Sequence, residues 1–96
     1  ERLIADERNG ERIAVEMKSF AGDSAVNEFH TALGQFLDDQ MMLEENEPDR
    51  VLYLAVPIDV YTTFFQTRFA QIVLGRYPLK LMVYEPVLEE ILEWIN

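Results

Sequence analysis

The run VLYLAVP, residues 51 to 57, constrains this chain more than any other stretch. It is a continuous apolar segment bounded by Arg50 and Pro57, too short for a core helix and without polar alternation. It therefore reads as a central strand buried on both faces. Such a strand needs neighbours on both edges and packing against both sides, so the rest of the chain must supply a sheet and the layers that cover it.

The neighbours are legible. ERLIADERNGERIAVEMKSF reads as a β-hairpin around Asn9-Gly10, the preferred two-residue type I′ turn. With that loop, Arg8 faces Glu11, Glu7 faces Arg12, Ala5 faces Ala14, Leu3 faces Glu16 and Glu1 faces Lys18. Side chains alternate along a strand. Glu1, Leu3, Ala5, Ala14, Glu16 and Lys18 then share one face. Ile4, Ile13, Val15 and Met17 share the other, which is expected to be the main core face. The second strand, IAVEMKSF (13 to 20), is apolar except for Glu16 and Lys18.

AGDSAVNEFHTALGQFLDDQMMLEEN reads as a helix capped by Asp23 or Ser24, with Val26, Phe29, Leu33, Phe36, Leu37 and Met41 at helical spacing. Gly34 inside it suggests close approach of another backbone. EENEPDR is an acidic linker broken by Pro48. Asp59 can cap a helix after the central strand, and Thr67 a second segment running to Gly75 or Tyr77. LKLMVY (79 to 84) is the next strand. The tail EPVLEEILEWIN stays open: its propensities favour a helix from Pro86, and Leu92-Glu93-Trp94 also permits a hairpin strand after a Glu85-Pro86 turn. Helices between strands favour crossovers and a mixed α/β (α+β) sheet with helices on its faces.

Ninety-six residues are expected to form a single domain. The absence of cysteine excludes disulfides, thiolate zinc sites and cysteine nucleophiles, and the single His30 excludes a His-rich metal site within one chain. No apolar run approaches the roughly 18 residues that span a bilayer, and the composition is compatible with the cytoplasm. The chain opens on Glu1 without a leader-like segment and reads as the ordered or trimmed part of something longer. Eight Lys and Arg against eighteen Asp and Glu leave a net charge of −10, which argues against coating nucleic acid through a broad basic surface.

Glu16 and Lys18, two apart on a strand, project side by side. A carboxylate there can hold Mg²⁺, a hard ion that prefers oxygen ligands, and the Met17 carbonyl can reach the same ion. A cation beside it suits an attacking water or a scissile phosphate. The plain alternative is a solvated surface pair of little energetic weight. Tyr53, Tyr61, Phe64 and Phe65 read as core or as an aromatic contact surface. Asp38, Asp39, Glu44, Glu45 and Glu47 read as a solvated acidic rim, and His30 as a structural histidine.

ERLIADERNGERIAVEMKSF, EFHTALGQFL, EPDRVLYLAVP and LKLMVYEP, with a Trp near the end, together resemble the XisH family over nearly the whole chain. That family is named for controlling excision of the fdxN element in heterocyst-forming cyanobacteria. It is similar to the restriction-endonuclease-like group with the PD-(D/E)XK pattern. The resemblance implies a mixed sheet of four or five strands flanked by helices, and a tail that pairs as a strand with Leu79 to Tyr84. It implies that Glu16 and Lys18 are the second half of a Mg²⁺ site (Mn²⁺ substituting), with Gln35 as a helix glutamine beside the metal. The Asp of that pattern would lie a few residues before the position of Glu1, after a helix that also precedes this chain. Asp6 points away from Glu16, whereas Glu1 lies on the same face and is a candidate additional ligand. Two functions follow as expectations. One is nuclease-like DNA processing. The other is a non-catalytic accessory role that binds an XisI-like partner, with a homodimer on an inert nuclease fold as its variant.

Overall fold

The structure, a computed structural model, describes residues 2–96. Its elements run β1 (Arg2–Arg8), β2 (Glu11–Met17), α1 (Ala25–Asn46), β3 (Val51–Pro57), α2 (Ile58–Thr62), a 3₁₀ turn (Phe64–Gln66), α3 (Arg68–Arg76), β4 (Leu81–Glu85) and β5 (Glu90–Ile95). One five-stranded sheet has the order β1-β2-β3-β4-β5. β1–β2 and β4–β5 are antiparallel hairpins, and β2–β3 and β3–β4 are parallel. This is the mixed sheet with helices and an N-terminal hairpin that the sequence implies.

The hairpin has the expected register from Arg8↔Glu11 to Leu3↔Glu16. Asn9 and Gly10 both take positive φ, 51° and 82°, as a type I′ turn requires. The expected pairing of Glu1 lies outside the described residues. β3 is central and almost wholly buried, as its composition demands. The tail resolves as a strand: Met82↔Trp94 and Leu81↔Ile95 pair, with an irregularity between Val83 and Tyr84.

The two parallel steps proceed in the same direction across the sheet. Crossovers of this kind are right-handed, so both connections fall on one face. Phe29, Phe36 and Leu43 of α1, together with Phe65, accordingly pack against Ala14, Leu52, Leu54, Val56 and Leu81. This corrects the expected core face. The helices cover the Ala14 side, and Ile13 and Val15 belong to a smaller cluster on the opposite side with Tyr53, Ala55 and Met82. Crossover handedness chose the face, and the density of aliphatic residues along β2 did not.

The opposite side is closed by the sheet itself. The Arg8 guanidinium, on edge strand β1, lies 4.3 Å from the Trp94 ring on edge strand β5. The two long side chains reach toward each other over this face and, with the sheet's twist, make it a trough. Tyr53 lies at its bottom, edge-on to Trp94 at 4.9 Å, with its hydroxyl accepting from Arg8 and donating to Asn96 Oδ1 at 2.8 Å.

Of the two cap candidates for α1, Ser24 is the one used, its hydroxyl accepting from the Asn27 amide. Two local expectations change. Asp59 lies inside the first turn of α2, whose N-cap is Pro57 without a side-chain bond. Gly34 faces open space, so no backbone approach explains it. Thr67 caps α3 as expected.

The N-terminal end of β3 is held by arginines. Arg12 donates to both Asp49 oxygens at 3.0 and 2.9 Å and to Glu47 at 2.6 Å. The Arg12 hydrogen bond holds the exposed Asp49 carboxyl below its ordinary value, against the opposing effect of desolvation. A depressed carboxylate contributes stability above its unfolded pKa and loses it as pH falls through the folded value. The Asp49 carboxyl resonance should titrate below that of a free aspartate, and Arg12→Ala should return it to the ordinary range. Stability at neutral pH should change little, because the pair is exposed.

Candidate functional site

Glu16 and Lys18 sit at the C-terminal end of β2, the end of parallel strands where α/β sheets place ligands. Their side chains are only 4% and 7% exposed, and they are the buried charged residues among the described ones. A solvated surface pair is therefore not what this strand carries. Removing a charge from water costs several kcal/mol unless partners offset it. For Lys18 one partner is Glu28, in the first turn of α1, with Nζ 3.7 Å from Oε1. Gly22 makes room for that carboxylate: a Cβ there would lie 3.0 Å from Glu28 Cδ.

The chain leaves β2 through a strained residue. Phe20 has φ of 55°, which a bulky side chain rarely adopts. Its ring is buried edge-on to Phe65, with centroids 6.0 Å apart. Such strain persists only where surrounding packing enforces it, and it concentrates at working sites. Here the packed ring fixes the backbone two residues after Lys18.

Glu16 opens on a shallow cleft of about 270 Å³ lined also by Arg2, Leu3, Gln35, Asp38 and Asp39. The structure thus brings Glu16 and Gln35 together across β2 and α1, while Lys18 does not line that cleft. Among the described residues no three His, Cys, Asp or Glu side chains converge as a metal cluster. Glu1 lies outside the described residues. The cleft's donors are all oxygens apart from Arg2. They suit a hard cation in kind, because Mg²⁺ takes one or two protein carboxylates and leaves the rest of its shell to water and phosphate.

The family model for XisH protein matches residues 1–92. The chain belongs to the XisH family. Two crystal structures superpose closely on this XisH-family chain. An XisH family protein from Nostoc punctiforme is 50% identical with a TM-score of 0.93. A fdxN element excision controlling factor protein from Anabaena variabilis is 53% identical with the same TM-score. In both cases 98% of this chain is covered and 74% of the other. Among curated proteins, none matches.

In this XisH-family chain the polar stripe of Glu28, Ala32, Gln35 and Asp39, which the sequence offers equally as a solvated face, brings Gln35 and Asp39 to the Glu16 cleft. Asp38, three residues after Gln35, joins them from the acidic rim. Glu28 reads from the sequence as part of the same stripe, but its meeting with Lys18 depends on how α1 crosses the sheet. His30 stands apart, edge-on to Phe69 at 6.0 Å in an apolar groove with Val26 and Phe64. Of the four aromatics considered, Tyr53 and Phe65 are core and Tyr61 and Phe64 lie at its margin. No helix among the described residues is long and apolar enough to cross a membrane.

Proposed function

We propose that this XisH-family chain acts in the control of DNA-element excision, as the name of the Anabaena variabilis protein states, through a nuclease-like phosphodiester site built on Glu16. The observation that carries this reading is a buried carboxylate at the end of a parallel strand, opening on a cleft shared with Gln35. In this reading Glu16, the Met17 carbonyl and Glu1 hold Mg²⁺ or Mn²⁺. The ion, when bound, supplies Lewis-acid stabilisation of phosphate charge and lowers the pKa of a bound water. Lys18 presents a fixed ammonium for developing negative charge, oriented by Glu28. Gln35 offers an amide to position a water or phosphate oxygen. A role on DNA sets the protein in the cytoplasm.

One observation favours a second reading, a non-catalytic module that binds an XisI-like protein or a second copy. Asp38 and Asp39 at the cleft, within a chain of net charge −10, repel DNA phosphate. DNA contact would then need basic surfaces from a partner.

Calorimetric titration of Mn²⁺ separates the two. Wild type should bind, and Glu16→Gln should weaken binding at least about tenfold while keeping the wild-type circular dichroism spectrum. Lys18→Met should lower Mg²⁺-dependent plasmid nicking by about 100-fold or more. No Mn²⁺ binding by wild type, or equal binding by Glu16→Gln, removes the nuclease reading and leaves the interaction module.

A further inference from the structure

The β4–β5 hairpin presents apolar surface that the fold does not use. Val87 and Leu88, in the turn, are 85% and 65% exposed, and Ile91 and Leu92 of β5 are 53% and 49% exposed. Isolated exposed aliphatics are ordinary, but four within six residues make a patch. Beside it lies a groove of about 260 Å³ at the C-terminal end of the trough. Met17, Met82, Tyr84 and Ile91 supply its apolar wall, and Glu89 and Glu90 add acids. Methionines make such a wall adaptable to more than one apolar shape.

The hairpin tip is preorganised. The Glu85 carboxylate accepts from the amides of both Val87 and Leu88, and Glu89 takes the left-handed backbone at φ 55°. Burial, and secondarily the charge of Asp59, raise the Tyr84 phenol above its ordinary pKa, so it stays a neutral donor in the groove wall. The opposite edge of the sheet is treated differently. On β1 the Glu7 amide is occupied by the Asp6 side chain, and the Asp6 carbonyl by Arg50. That edge is guarded by charge, as edge strands usually are.

We propose that the groove between Met17 and the β4–β5 hairpin docks a basic-apolar segment of a partner protein. One or two large aliphatic side chains would enter against Met82, Tyr84 and Ile91, and flanking Lys or Arg would meet Glu89 and Glu90. Charge decides the occupant. A second copy would bring another −10 and another Glu89-Glu90 pair against the first, whereas a cationic segment is drawn in. The groove and the Glu16 cleft share no lining residue, and the consecutive Glu16 and Met17 side chains point to opposite faces of the sheet.

The test is fluorescence anisotropy with a dye-labelled dodecapeptide carrying Leu-Leu between paired lysines, against two controls, one with serines for the leucines and one with glutamates for the lysines. The leucine-lysine peptide should bind, and each control should bind at least about tenfold more weakly. Ile91→Ser and the double change Glu89→Lys with Glu90→Lys should each weaken binding at least about tenfold, with circular dichroism confirming that both variants fold. Equal binding of the serine control, or variants that bind like wild type, would mean charge attraction without a groove and overturns the proposal. So does the absence of binding. Self-association of the wild type in sedimentation, abolished by Ile91→Ser, would make a second copy the occupant and overturns it equally.

Discussion

Phe29→Ala should lower the unfolding free energy by about 3–5 kcal/mol. Phe29 is fully buried on α1, with ring centroids 5.3 Å from Phe64, 5.4 Å from Phe65 and 6.3 Å from Phe69. It joins α1 to the 3₁₀ turn and α3, with the His30–Phe69 contact beside it. Truncation removes the transfer free energy of the ring, leaves a cavity, and forfeits edge-to-face contacts worth about 0.5–1.5 kcal/mol per pair. A domain of this length has roughly 5–14 kcal/mol in total, so the variant should stand near the edge of folding. Urea denaturation checks this: the midpoint should fall steeply with the slope unchanged. A loss under about 1 kcal/mol would mean that the aromatic cluster is not the joint between the helices.

Arg50→Met should cost about 3 kcal/mol, although it removes a single charge close to the surface. Its side chain is largely buried. Nη1 donates to the Ile13 carbonyl at 2.7 Å and the Asp6 carbonyl at 3.2 Å, and Nε to Glu47 at 3.0 Å. One guanidinium therefore ties β1, β2 and the C-cap of α1 to the start of β3. Methionine keeps the bulk and leaves carbonyls without their donor. Lysine should recover less than half of the loss, because an ammonium cannot reproduce the planar fork. Thermal or urea unfolding of the three proteins ranks them. Equal stability of the lysine variant and wild type would reduce the interaction to charge alone.

Much of the fold is legible because local chemistry and tertiary structure agree. Asn9-Gly10 determines the hairpin, and every expected pair from Arg8↔Glu11 to Leu3↔Glu16 is present. VLYLAVP is the central strand to the residue. Disagreement arises where tertiary context competes with local preference. Glu89-Glu90-Ile91-Leu92-Glu93 has helical propensity, yet β4 offers an edge to pair with, and Trp94 gains the face of Tyr53 and the Arg8 cation. The larger core lies on the Ala14 face because crossover handedness places α1 there, which no pattern within β2 encodes.

The candidate site divides in the same way. Residues two apart on a strand must share a side, so Glu16 and Lys18 were findable as neighbours. Their burial was not, because it depends on α1 crossing over them. Gln35 lines the Glu16 cleft, and Asp38 and Asp39 line it from the same side of the helix. That proximity turns part of what reads as a solvated rim into the wall of the cleft.

The stack of Arg8 on Trp94 gives the molecule a built-in reporter. The chain has one tryptophan, and its indole joins the first strand to the last, residues 8 and 94, over the hydroxyl-bearing ring of the middle one. Contacts so distant in sequence close late in folding, because their loop entropy is lost before they are rewarded. Emission from Trp94 therefore follows a late step, the meeting of the two edge strands. Fraying of either edge registers at that same indole, so the fluorescence of a single residue measures the cooperativity of the whole sheet.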